Sequence, residues 1–95
     1  MKIKEIDLHD MDYETALKVF ISKYNSIYRT GYTKEIKVIH GYGAGTLLGK
    51  GVIKEKIRGY FSRNGEFLKY RLDLNPGVTY VTPFGLLPVV KGRRK

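Results

Sequence analysis

A strand that ends on a histidine and runs straight into a glycine-alternating loop constrains this chain more than any other feature. Ile36 to Ile39 form a short apolar run, His40 follows, and Gly41, Gly43 and Gly45 alternate before a helical pattern begins near Thr46 or Leu47. Glycine reaches positive φ at no steric cost and lets the backbone come close to a ligand. A helix that starts next supplies unpaired N–H groups and the positive end of a dipole. Together they predict an anion site, with phosphate the first choice. The plain alternative is a connector with no ligand. The familiar nucleotide loops do not fit. Gly49-Lys50 is followed by Gly51 rather than Ser or Thr, Ala44 stands where such a loop has its first glycine, and Thr46 takes the place of the third glycine of a dinucleotide fingerprint.

Periodicity places the elements around that loop. Ile3 to Leu8 read as a strand, with Ile6 and Leu8 on one face and Glu5, Asp7 and His9 on the other. Asp7 and His9 therefore share a face, their Cβ atoms about 6.5–7 Å apart from the strand rise. A carboxylate so placed can fix a histidine's tautomer, raise its basicity or join it on a metal; a solvated strand end is the bland reading. Asp10 and Asp12 can each cap the helix that follows, Tyr13 to Tyr28. Its apolar stripe comprises Tyr13, Ala16, Leu17, Phe20, Ile21, Tyr24, Ile27 and Tyr28. Thr30-Gly31 ends it. Glu35 to His40 is the second strand, with Ile36 and Val38 facing one way and Lys37 and Ile39 the other. Strand, helix and strand predict a right-handed crossover with parallel strands. His9 and His40, the only two histidines, then fall on the carboxyl-end rim where open α/β sheets collect ligands.

A second helix is predicted from Thr46 or Leu47 to Ser62, burying Val52, Ile53, Ile57, Tyr60 and Phe61. Lys50, Lys54 and Arg58 recur every four residues along its flank, a row that reads equally as a solvated face or a phosphate track. Asn64-Gly65 stops the helix, and Leu68, Tyr70, Leu72 and Leu74 alternate with Lys69, Arg71 and Asp73 in a half-buried strand. Asn75-Pro76-Gly77-Val78 reads as a type II turn into a returning strand, Val78 to Thr82. Pro83 and Pro88 bracket Phe84 to Leu87, which reads as irregular edge.

A formal charge of +9, from 18 Lys and Arg against 9 Asp and Glu, favours a polyanionic partner, nucleic acid before an acidic membrane surface. The 95 residues suffice for one small domain, expected over 1–90, with a basic tail over 91–95. The absence of cysteine removes disulfides, thiolate nucleophiles and zinc–thiolate sites. Charged residues after Met1-Lys2 argue against a signal peptide, and no apolar run is long enough to span a membrane. A cytoplasmic protein is expected.

Ile6-Asp7-Leu8-His9-Asp10 before a long amphipathic helix resembles the D-L-H-G motif of the Smr (small MutS-related) domain. Ile39-His40-Gly41-Tyr42-Gly43-Ala44-Gly45 resembles that family's second motif, H-G-x-G-x-G, and the order of elements matches as well. The resemblance implies a two-layer α/β sandwich of β-α-β-α-β-β order, a mixed sheet with two helices, similar to the C-terminal domain of bacterial translation initiation factor three. It also implies endonuclease activity on DNA or RNA. By motif match Asp7, His9 and His40 are the catalytic candidates, and His40 with Gly41, Gly43 and Gly45 forms the substrate loop. Two features depart from the pattern: Asp10 stands where the motif has glycine, and the hairpin loop at Asn75-Pro76-Gly77 is short.

The expectation is thus an Smr-type endonuclease, RNA favoured over DNA. His9 serves as general base or acid, and Asp7 orients it or joins it on a divalent cation such as Mg. Lys50, Lys54, Arg58, Lys69 and Arg71 track the phosphates with the loop glycines. The alternatives are a non-catalytic nucleic-acid module, with the ribosome as one setting, and a protein-interaction domain whose charge serves solubility.

Overall fold

The computed structural model describes residues 3–41 and 52–89. The elements run β1 (Lys4–Asp7), α1 (Tyr13–Arg29), β2 (Ile36–Ile39), α2 (Val52–Arg63), β3 (Leu68–Leu72) and β4 (Val78–Pro83). The four strands form one mixed sheet in the order β1-β2-β4-β3. β1 and β2 are parallel, with Asp7 opposite Ile39, and β4 runs antiparallel to both β2 and β3. The expected crossover and terminal hairpin are both present. β4 lies between β2 and β3, so the last strand among the described residues occupies the middle of the sheet.

Both helices pack on one sheet face and share one core. Ile6, Leu8, Ile36, Val38, Leu68 and Val81 meet Ala16, Phe20, Ile21 and Tyr24 of α1 and Ile57, Tyr60 and Phe61 of α2. Strand alternation turns Glu5, Asp7, Lys37, Ile39, Lys69, Arg71 and Tyr80 to the opposite, uncovered face. There Arg71 forms a bidentate pair with Glu35, at 2.6 and 2.8 Å, and lies 4.3 Å over the Tyr80 ring. Gly31 closes α1 at φ +92°, as its position after the helical stripe predicts. No helix among the described residues is long and apolar enough to cross a membrane.

Two expectations change. The turn from β3 to β4 is not type II, because Gly77 is not among the positive-φ residues that such a turn requires at its third position. It is closed by the Val78 N–H on Asn75 O (3.1 Å) and by the Gly77 N–H on the Asn75 side-chain oxygen (2.9 Å). The Asn75 side chain supplies the turn geometry that was assigned to glycine.

The segment after Pro83 is more than an edge. Leu87 is buried in the core, and the Asn25 side chain brackets its backbone, donating to Leu87 O at 3.0 Å and accepting from Leu87 N–H at 2.9 Å. The Tyr24 hydroxyl shares its one proton between the carbonyls of Gly85, at 2.7 Å, and Phe67, at 3.0 Å. Asn25→Ala strips both buried Leu87 groups of their partner. It is expected to cost about 1–3 kcal/mol, read as a lower denaturation midpoint at unchanged m-value.

Candidate functional site

Parallel pairing brings the two motifs together at one rim. The Leu8 N–H donates to Ile39 O at 2.7 Å, carrying the β1–β2 ladder past Asp7 so that both chains leave the sheet side by side. Gly41 follows at φ +79°, and a Cβ placed on it would lie 3.6 Å from the His9 Cβ. The first glycine of the loop is thus needed for its backbone conformation, and it abuts the histidine of the first motif.

Asp7 and His9 form a direct pair. The His9 Nδ1–H donates to Asp7 Oδ1 at 2.5 Å, and the His9 backbone N–H donates to the same oxygen at 3.1 Å. The two side chains are each about half exposed, at 56% and 52%. The hydrogen bond from His9 holds the Asp7 carboxyl below the usual carboxylate range, and in return Asp7, with help from the Asp10 charge, raises the His9 imidazole above its ordinary value. With Nδ1 committed to Asp7, Nε2 is the nitrogen left to exchange a proton.

Asp10 lies 3.5 Å from that nitrogen through Oδ2. Its φ is +66°, the left-handed region that favours glycine and that Asp tolerates better than most residues. The structure thus explains the motif's glycine and how Asp can replace it. Asp10→Gly is expected to relieve this conformation, raising stability by up to about 1 kcal/mol. Loss of the Asp10 charge also lowers the His9 pKa toward the ordinary imidazole value. A proton NMR titration of His9 reads the shift directly; an unmoved midpoint would show that Asp10 does not act on the ring.

His40 is placed differently from His9. It lies on the covered face, in register with Val38, and is 1% exposed. Its Nδ1–H donates to Gly41 O at 2.8 Å; Nε2 then accepts from the Thr79 hydroxyl at 2.9 Å, and Thr79 Oγ1 accepts from Arg58 Nε–H at 2.9 Å. Every donor in this chain has its acceptor only if His40 is neutral. Burial lowers its pKa, and the charges of Arg58 and Lys54 lower it further against the Gly41 hydrogen bond. The rim therefore gathers Asp7, His9 and Gly41, while the His40 ring points into the core and braces the turn.

The predicted phosphate ligands separate in the same way. The Gly41 N–H, expected to face the anion, instead donates to Gly77 O at 3.0 Å, as does the His40 N–H. Arg58 is spent on Thr79 Oγ1 and on the carbonyls of Pro76 and Val78, clamping α2 to the β3–β4 turn. Arg71 is neutralised by Glu35. Lys54 lies half exposed one turn before Arg58, and Lys69 is exposed on the other sheet face. Gly43, Gly45 and Lys50 lie outside the described residues, as does the basic tail. Thr79 is the partner that sequence reading missed; its only signal was a polar residue at a core-facing position of β4.

Two helices on one face of a mixed four-stranded sheet, with a carboxylate–imidazole pair beside a glycine turn, define a small α/β domain of the β-α-β-α-β-β type. The Smr domain model matches residues 6–82, and the chain belongs to the Smr domain family, a nucleic-acid-binding module of some endonucleases. The fold is similar to the solution structure of the SMR domain of NEDD4-binding protein 2, at TM-score 0.63 and 20% identity, covering 96% of this chain and 95% of that one. It is also similar to the solution structure of the B3BP Smr domain, at TM-score 0.62 and 21% identity, covering 85% of this chain and 78% of that one. No curated protein sequence matches it.

Proposed function

We propose that this domain binds RNA and cleaves it, with His9 as the proton-transfer residue. The observation that carries the reading is the Asp7–His9 pair, whose geometry leaves Nε2 as the basic nitrogen at an exposed rim. His9 Nε2 takes the proton from the attacking hydroxyl, a ribose 2′-hydroxyl or a water, whose oxygen bonds to phosphorus as the bond to the leaving ribose oxygen breaks, and that oxygen takes a proton from solvent. Asp7 holds the tautomer and stabilises the imidazolium that results. His40 is a positioning residue: neutral and buried, it fixes the Gly41 turn against His9 through the Gly41 carbonyl.

A divalent cation fits this site poorly. Among the described residues no group of three His, Asp or Glu side chains could hold a metal ion, and Asp7 Oδ1 already accepts two hydrogen bonds from His9.

Asp10 favours a second reading, a nucleic-acid module without catalysis, because its carboxylate stands 3.5 Å from the nitrogen that would approach a phosphate. Labelled single-stranded RNA, duplex RNA and supercoiled DNA, each incubated with and without EDTA, separate the two. RNA products that disappear with His9→Ala support cleavage. Retention of nucleic acid with no products on any substrate supports the module. Failure to retain any of them at low salt overturns both.

A further inference from the structure

Charge is unevenly divided between the two sides of the sheet. α1 and α2 carry seven Lys and Arg against two Glu. The uncovered sheet face balances Lys37, Lys69 and Arg71 against Glu5, Asp7 and Glu35, and its one bidentate pair cancels Arg71. The helical layer therefore attracts a polyanion more strongly than the middle of the open sheet does.

That layer contains a cleft. Tyr13, at the start of α1, and Glu55, Lys56, Gly59 and Arg63 of α2 line an open depression of about 560 Å³. Lys56, Gly59 and Arg63 recur at the three- and four-residue spacing of one helix face, so the cleft extends for about 10 Å along α2. Lys56 Nζ lies 5.4 Å from the Tyr13 ring centroid. Gly59 sits in the middle of a helix, where glycine is destabilising relative to alanine. A Cβ there would come within 3.2 Å of an Arg63 guanidinium nitrogen, so glycine makes room for that cation in the cleft. Glu55 is the one carboxylate on the lining. Tyr13 follows His9 by four residues, which keeps their Cα atoms within about 14 Å.

We propose that this cleft is a binding track for single-stranded nucleic acid leading to the Asp7–His9 rim. A base stacks on Tyr13, and Lys56 and Arg63 contact successive phosphates. An aromatic face flanked by cations is the chemistry that single strands use, because a duplex hides its base faces. The proposal rests on the nucleic-acid reading above and adds to it the strandedness of the ligand and the face that holds it.

The test is fluorescence anisotropy of the full chain with a labelled single-stranded RNA of about 12 nucleotides, within the span of known single-strand sites, titrated at several salt concentrations. Lys56→Gln combined with Arg63→Gln is expected to weaken binding about tenfold and to reduce the slope of log affinity against log salt by about 1.4, the value for two phosphates on a single strand. Tyr13→Ala is expected to weaken binding roughly tenfold and Tyr13→Phe to restore it, since stacking needs the ring and not the hydroxyl. Lys37→Gln combined with Lys69→Gln removes the same charge from the open sheet face and is expected to have a much smaller effect. Equal losses from the two charge pairs would overturn the track, as would wild-type affinity in the cleft variants. Duplex RNA bound as tightly, with the same dependence on Tyr13, would overturn the single-strand assignment. Should Tyr13→Ala fail to fold, the exposed Lys56/Arg63 pair still decides. A wild type that binds no RNA at all overturns the nucleic-acid reading itself, whereas wild-type binding that ignores the cleft variants overturns only the track.

Discussion

His9→Ala is expected to lower RNA cleavage by about 10²–10⁴-fold, the usual contribution of a positioned acid–base group. The melting temperature should stay near that of the wild type, because the ring is more than half exposed and its ionic partners among the described residues are the surface carboxylates Asp7 and Asp10. The pH profile carries the sign. Asp7 and Asp10 raise the His9 pKa, so the proton is retained to higher pH than on a free imidazole. A base must be neutral to act, so the rate is expected to rise with pH through that raised value. Asp7→Asn removes the stronger of the two influences and frees the tautomer. It is expected to cut the rate and to move the acid limb of the residual activity to lower pH. Asp10→Gly moves the limb the same way while leaving the tautomer fixed. Cleavage unchanged in His9→Ala would assign the products to another site or another protein.

The backbone of this site was legible from local pattern. Alternation in β1 put Asp7 and His9 on one face, and the crossover rule made β1 and β2 parallel. Those two facts set the backbones of both histidines at one end of the sheet. The direction of the His40 ring could be read by the same alternation, since His40 shares the parity of Ile36 and Val38. What could not be read was what it meets: Thr79 is 39 residues away and reaches it only because β4 inserts beside β2. The same insertion delivers Gly77 O to the Gly41 amide and the Pro76 carbonyl to Arg58. A charge every fourth residue shows a shared helix flank, not whether a neighbouring strand supplies acceptors for it. The three acceptors that Arg58 meets on β4 and the turn before it are therefore invisible in its spacing. The burial of Leu87 has no local signal for a related reason: its partner, Asn25, is a polar residue buried beside the apolar stripe of α1 and 62 residues away.

Phe20→Ala is expected to cost about 3–5 kcal/mol, the range for deleting a buried aromatic ring. Phe20 is fully buried and stands where the two helices meet. Its ring centroid lies 5.5 Å from that of Tyr24 on its own helix, and 5.1 and 6.3 Å from those of Phe61 and Tyr60 on α2. Removing it opens a void between α1 and α2 that rings on both sides cannot close without leaving their rotamers. For a domain of this size each kcal/mol moves Tm by about 4–8 °C, so a fall of at least about 12 °C is expected by calorimetry or circular dichroism. Phe20→Leu keeps most of the volume and should lose much less. The contrast with His9→Ala separates two causes of lost activity. Phe20→Ala should lose cleavage only as the protein melts and recover it on cooling, since its ring is buried between the helices, where it packs on Tyr24, Tyr60 and Phe61. His9→Ala should stay inactive at every temperature at which it is folded. A Phe20→Ala variant that melts like the wild type would mean that the helical layer is not held by this aromatic cluster. The packing assigned to α2, and with it the bracing of the Gly41 turn through Arg58 and Thr79, would then need another source.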